Sequence, residues 1–291
     1  MGAPLDPHKR YLIVNADDLG LSRSVNRAIF EAHEHGIVTS ASLMAVGNEF
    51  DEAVSGALSR PTLDVGVHLA LHEERPAQAP ERIPDLVGPD GRMKPLGAVT
   101  RALLFGRIPR EQIEAEYSAQ IERVLQRGLR PSHLDSHCHL HALPSVARIL
   151  HGLGQRYGIA CARRPSMDSL RDLRGAPLAR LPVSILITLS NAQAPSRGPG
   201  TLRSPDHFVG LLQSGDVDRR WLERTLARLA RGQVSELMVH PSDGTDAGNP
   251  HARYGAHSRR AEFEAVTSPE IRAALERLDV ELVDYRFLAA R

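Results

Sequence analysis

The sequence has only two cysteines, Cys138 and Cys161, and no CxxC pair. That excludes a disulfide framework and a thiolate-cage zinc site. Aromatics make up 4% of the chain and the formal net charge is +1. There is neither a stacking platform for bases nor a basic footprint, so no nucleic-acid partner is expected. Lysine is nearly absent, with Lys9 and Lys94 alone among 36 basic residues, a compositional habit rather than a function. There is no G-x-G-x-x-G and no P-loop, so nucleotide cradling has no support. The longest apolar run, 181–189, is too short to span a bilayer. Residues 1–10 lack the apolar core of a signal peptide, and a cytoplasmic location is expected. What is present is 42% hydrophobic and 24% charged over 291 residues, the composition of a soluble globular protein. No internal repeat or linker divides it, so a single domain over 1–291 is expected, with a core of about 11–285.

Strand and helix patterns alternate along the chain. The apolar run at 11–14 reads as a strand that ends in Asp17, Asp18 and Gly20. At the end of a strand both carboxylates lean over one rim, and a cation or proton must relieve their repulsion. Ser22 or Ser24 caps a helix near 24–35. Strands follow at 41–46 and 63–71, the second carrying His68. The stretch 72–109 is rich in proline and glycine and reads as a long excursion. A helix over 111–127 precedes His133-Leu-Asp135-Ser-His137-Cys-His139-Leu-His141, a strand running into a loop. Further strands are expected at 159–165, 234–241 and 280–285, and a helix capped by Asp216 or Asp218 runs to Arg231. Residues 166–215 are the least readable, and 181–189 fits a helix or a strand. The alternation predicts a mainly parallel α/β architecture.

Asp17/Asp18, His68, His137, Arg163/Arg164 and His240 each fall at the end of a separate expected strand, where barrel enzymes keep their chemistry. His137, His139 and His141 have a period of two, so a straight strand would line all three on one face with Cys138 opposite, as core packing. Imidazoles with carboxylates suit a borderline divalent ion. Taken singly, His68 and His240 read more readily as hydrogen-bonded core histidines than as ligands, and the arginines as surface or salt-bridge residues. One arginine could instead aim a rim carboxylate through a bidentate contact. His33, His35, His251 and His257 read as surface residues. The spacing reaches a mononuclear metal hydrolase and leaves the ligands unassigned.

Asn15-Ala-Asp17-Asp18-Leu-Gly-Leu-Ser22, Gly66-Val-His68-Leu and the His133–His141 stretch, in this order, resemble the YdjC-like carbohydrate deacetylases. The likeness runs from Tyr11 to about Leu278. Later segments, among them Ile83-Pro-Asp-Leu-Val87, Asp206-His207-Phe208 and His240-Pro241, resemble the hopanoid-biosynthesis-associated branch. The resemblance implies a distorted TIM-like (β/α) barrel with inserted loops and one divalent metal, zinc favoured and magnesium the alternative. It implies Asp18, His68 and His137 as metal ligands, Asp17 as general base and His240 as acid, with Arg163 or Arg164 aiming Asp17 and His139 and His141 supporting the ligands. The implied reaction removes acetyl from an N-acetylglucosamine-type sugar, in that branch the head group of a hopanoid glycolipid. The implied partner is therefore an N-acetylated sugar or glycolipid; a transient contact with the inner membrane surface and a homodimer are left open. The alternatives are a chitooligosaccharide or other carbohydrate deacetylase, another metal-dependent hydrolysis, and a non-catalytic sugar-binding barrel. The chain departs from the family pattern at Cys138, where many members have His, and at Ser242, where many have Gly.

Overall fold

The computed structural model describes residues 4–167, 181–192, 201–245 and 255–291. The reading of His251 and His257 as surface residues concerns side chains outside the described set. In chain order the elements are β1 (Arg10–Leu19), α1 (Arg23–Glu34), β2 (Ser40–Leu43), α2 (Phe50–Leu58), β3 (Asp64–Leu69), α3 (Leu96–Leu104), α4 (Arg110–Gln126), β4 (His133–Ser136) and α5 (Pro144–Tyr157). Then come β5 (Cys161–Ala162), α6 (Leu181–Ala192), β6 (His207–Val209), α7 (Arg219–Leu226), β7 (Val234–Val239), α8 (Gly255–Val266), α9 (Pro269–Arg277), β8 (Val280–Val283) and α10 (Tyr285–Ala289).

The strands pair in the order β5-β4-β3-β2-β1-β7-β6, with β8 beside the first half of β1, and every pair is parallel. Parallel strands wrapped by helices are buried on both faces, and β2, β3, β4 and β7 are buried at every position. Arg203 bridges to Cys161 at one end of the sheet, and the same segment then enters β6 beside β7 at the other. The sheet thus curls into an incomplete, distorted barrel, as the alternation and the resemblance implied.

Local chemistry sets the helix ends. Ser22 caps α1, its hydroxyl accepting the Val25 N–H, and Val25, Ala28, Ile29 and Ala32 face inward. Asp218 caps α7. That helix ends at Leu226 rather than Arg231, because Arg228 and Leu229 bond back only three residues and tighten the chain into turns. The 72–109 excursion is not structureless, for it holds α3 and a Val87–Met93 bridge. A buried polar side chain of α4 also ties it down, Glu116 accepting from the N–H groups of Ala77 and Gln78, while Gln120 pairs with both backbone groups of Ala70 just before it. Such groups are tolerated inside only when bonded.

Gly66 in β3 has a steric reason. A Cβ there would lie 2.4 Å from ring atoms of His133, whose ring is stacked on Tyr285 with centroids 3.8 Å apart. His133 has nowhere to retreat, so Gly66→Ala should cost about 1–3 kcal/mol through overpacking. An unchanged urea midpoint would refute this.

Candidate metal centre and active site

β1 runs further than its apolar pattern, through Leu19, and both aspartates belong to it. A regular strand would send Asp17 and Asp18 to opposite faces. Instead Asp18 has φ +69°, and the register with β2 slips between Ala16 and Leu19. This bulge is what brings both carboxylates to the same rim. A left-handed aspartate is a strained conformation of the kind found at functional sites.

The register of the sheet supplies the neighbours. His68 and Asp135 are paired positions on β3 and β4, and Asp135 Oδ1 accepts from His68 Nδ1 at 2.8 Å. That bond fixes the ring and turns Nε2 toward Asp18. β4 ends at Ser136, and 137–142 forms a 3₁₀ turn in which Cys138 and His139 have φ near +56°. The three histidines therefore do not share a face, contrary to the straight-strand expectation. His137 Nδ1 turns to Asp18. His141 Nδ1 is taken by the Ser136 hydroxyl at 2.7 Å, and His139 packs edge-on against His141 and Phe208. The other ring nitrogen of His68 is held by Asp135, not by His139 or His141.

Asp18 Oδ1, His68 Nε2 and His137 Nδ1 form a triangle with sides of 3.5, 3.1 and 3.3 Å. Asp18 Oδ1 is buried and has no hydrogen-bond partner of ordinary geometry among the described residues. Ligands about 2.0–2.1 Å from one tetrahedral ion stand about 3.3 Å apart, so these donors fit a single divalent cation. The other oxygen, Oδ2, accepts from Arg259 Nη2 of α8 at 2.7 Å. Burial pushes the Asp18 carboxyl up, but His137 and Arg259 hold it well below the usual carboxylate range. Burial opposes charge on both imidazoles as well. Asp135 and Asp17 nonetheless raise His68, and Cys138 and Asp18 raise His137 well above an ordinary histidine.

These shifts carry a pH prediction. A raised imidazole keeps its proton to higher pH, and that proton must leave before a cation binds. Cation affinity of the metal-free protein should fall as pH drops, starting above the ordinary histidine value of about 6.5, by ~10-fold per pH unit for each displaced proton. Equilibrium dialysis at several pH values checks it, and affinity independent of pH between 6 and 8 would refute it. Asp135→Asn should weaken cation binding about 10–100-fold by freeing the ring it orients. Wild-type affinity in that variant would show that Asp135 does not set the ring.

Asp17 stands beside the triangle and is held by other groups. Arg163, on the segment after β5, donates Nη2 and Nη1 to its two oxygens at 2.6 Å each. Arg163 Nη1 also reaches Asp135 Oδ2 at 2.7 Å, and Nε donates to Glu236 Oε1 at 2.8 Å. Asn15 Nδ2 donates to Asp17 Oδ1 at 2.8 Å. Asn15 and Ser42 continue this network to Asp135. Arg164 contributes no contact to the site carboxylates among the described residues, so of the two expected arginines only Arg163 faces the site. His240 follows β7 and is buried, its Nε2 4.0 Å from Asp17 Oδ2. Burial pulls its imidazole down to about 4 against the attraction of Asp17 and Asp18. Glu262 of α8 accepts the His240 backbone N–H. Arg259 and Glu262, three apart on one helix face, thus lay α8 across the ends of β1 and β7.

A cleft of about 950 Å³ opens on His137 and is lined by Leu21, His72, Glu74, Asp90, Arg92 and Met93 among others. It has the size of a small-ligand pocket. Sequence reasoning missed Asp135, Glu236 and Arg259. Asp135 lay inside a motif already singled out and Glu236 inside the expected strand at 234–241, whereas Arg259 carries no local signal.

Fold and site together define a parallel α/β barrel with a cation cradle and a separate clamped carboxylate at the strand ends. The chain belongs to the YdjC-like protein family, whose model matches residues 11–277. It is 34% identical over 277 residues to the carbohydrate deacetylase of Geobacillus stearothermophilus, covering 95% of this chain and 97% of that one. With the carbohydrate deacetylase of Brevibacillus brevis it shares 32% over 274 residues, covering 94% and 98%. Among solved structures it is similar to a candidate cellobiose-phosphate cleavage protein from Enterococcus faecalis V583. That match has a TM-score of 0.76 and 26% identity, over 96% of this chain and 99% of the other.

Proposed function

We propose that this protein is a metal-dependent N-deacetylase that hydrolyses the acetamido group of an N-acetylglucosamine-type sugar. The observation that carries the reading is the inequality of the two aspartates. Asp18 completes the triangle, while Asp17 is clamped by Arg163 and lies 3.9 Å from His68 Nε2, outside it. A site that only held a cation or a sugar would have no use for that second, aimed carboxylate.

In this reading Asp18, His68 and His137 hold the ion, and the 3.3 Å spacing and two imidazoles favour zinc over magnesium. When bound, the ion polarises the acetyl carbonyl and acidifies water. Asp17 takes the proton of the attacking water as general base. Arg163 keeps Asp17 aimed, and Asn15 adds a second fixed bond. His240 starts neutral, receives a proton from the side of Asp17, and passes it to the departing amine. A histidine pulled down to about 4 gives up such a proton readily. The relatives named carbohydrate deacetylases support the substrate class.

The finer reading is a hopanoid glycolipid head group as substrate. Its support is α6, which packs on the 137–142 turn beside the cradle. That helix exposes Val183 and Leu189 at 59% and 60%, with Ile185 and Leu186 also exposed. An apolar helix face left in water next to a polar site suits a substrate whose sugar enters the cleft while its lipid stays outside. No helix of the described residues is long and apolar enough to cross a membrane, so contact would be at a surface. Acetate release should be compared between an N-acetylglucosaminyl lipid in mixed micelles and soluble chitooligosaccharides. The lipid reading expects the micellar substrate to be preferred and the preference to fall in Val183→Ser/Leu189→Ser. Equal rates on both, with no co-flotation on vesicles, would return the substrate to soluble sugars.

A further inference from the structure

Two other groups of metal-ligating side chains converge among the described residues. One, Asp17 with His68 and Asp135, already has the guanidinium of Arg163 bonded to both carboxylates and needs no ion. The other is His72, His137 and Cys138, whose ligand atoms all lie within 4.8 Å of one another. Nothing in the proposed reaction uses His72 or Cys138.

The geometry of this second group is specific. Cys138 would oppose His137 in a straight strand. Its left-handed backbone, φ 56°, instead folds the thiol back to the side where His72 and His137 lie. The rings of His72 and His137 stack with centroids 5.0 Å apart and an interplanar angle of 23°. His72 is fully buried, and its Nε2 has no hydrogen-bond partner of ordinary geometry among the described residues. The Cys138 sulfur is the group that approaches the His72 imidazole, and a cation would be held by both. Both His72 and His137 line the inner end of the cleft.

We propose that His72, Cys138 and His137 form a second cation site, for a thiolate-seeking divalent ion such as zinc or cobalt(II), and that its occupation inhibits the enzyme. One sulfur and two imidazoles are a softer donor set than Asp18, His68 and His137, and select ions accordingly. Binding displaces to solvent the proton that the Cys138 sulfur and the His137 imidazole share. His137 belongs to both sets, so the second ion competes for an imidazole that the first one uses. It also stands where the substrate enters. The idea rests on the reading that Asp18, His68 and His137 hold the working ion.

The test is stepwise cobalt(II) addition to the full metal-free chain, followed by absorption and by metal analysis after desalting. Beyond the first equivalent a near-ultraviolet sulfur-to-cobalt charge-transfer band should appear. It should be absent in Cys138→Ser and at least 10-fold harder to saturate in both His72→Ala and His72→Gln, while all three variants retain the first equivalent and the wild-type circular dichroism. Zinc beyond one equivalent should inhibit wild type, and Cys138→Ser should need at least 10-fold more zinc for the same inhibition. No band at two equivalents, or a band that saturates as in wild type in both His72 variants, overturns the proposal. Failure of the deacetylase reading would look different: the band would form as described, with no acetate released at one equivalent.

Discussion

Arg163→Leu should lower the stability of the protein by about 3–5 kcal/mol, the cost of breaking a buried ion-pair network from one side. The Arg163 side chain is fully buried and bonds three carboxylates, those of Asp17, Asp135 and Glu236. Leucine supplies none of the five donors. Glu236 shows how little margin remains, for burial pushes its carboxyl up to about 7 even with Arg163 beside it. Without the arginine, these groups must take up protons or strain outward toward water. Thermal unfolding should shift down by on the order of 10 °C. Arg164→Leu is the control. The adjacent arginine is partly exposed and touches none of these carboxylates, so its loss should stay within about 0.5 kcal/mol. Equal effects at the two positions would show that the network does not organise this end of the barrel.

Asp17→Asn should leave the cation in place and reduce kcat by about 10²–10⁴-fold. The change conserves shape but removes the proton acceptor and sets an amide against the guanidinium of Arg163. Because Asp17 is outside the triangle, metal content should remain at one equivalent and KM should change little. His68→Ala behaves differently, since it removes a corner of the triangle and metal should be lost along with activity. A full rate in Asp17→Asn at full metal content would move the base elsewhere.

The parts of the site written in strand patterns were legible from the sequence. Asp17, Asp18, His68, His137, Arg163 and His240 each follow an apolar run, and a parallel barrel gathers the ends of such runs at one rim. What the pattern does not carry is local backbone sense. A straight strand through 137–141 placed three histidines on one face, but the left-handed Cys138 and His139 turn the chain. The same device at Asp18 works the other way, uniting two carboxylates that a regular strand would separate. Arg259 was invisible because it reaches Asp18 from 241 positions away on a helix with no motif. The excursion at 72–109 looked loose because part of its order comes from Glu116, a polar residue on the inward face of a later helix. Residues 181–189 fitted a helix or a strand. They form a helix that leaves much of its apolar surface in water, because hydrophobicity alone does not say what an apolar face meets.

In the proposed reaction, the cation held by Asp18, His68 and His137 works with Asp17 to hydrolyse an acetamido group. The most direct measurement strips the protein of metal and restores one equivalent of zinc. Acetate and free amine are then quantified from an N-acetylglucosaminyl substrate. The stripped protein should show no turnover and recover it at one equivalent, with acetate and amine formed one for one. One equivalent of zinc bound through these three residues, with no acetate released from soluble or lipid-linked N-acetylglucosamine, would contradict it.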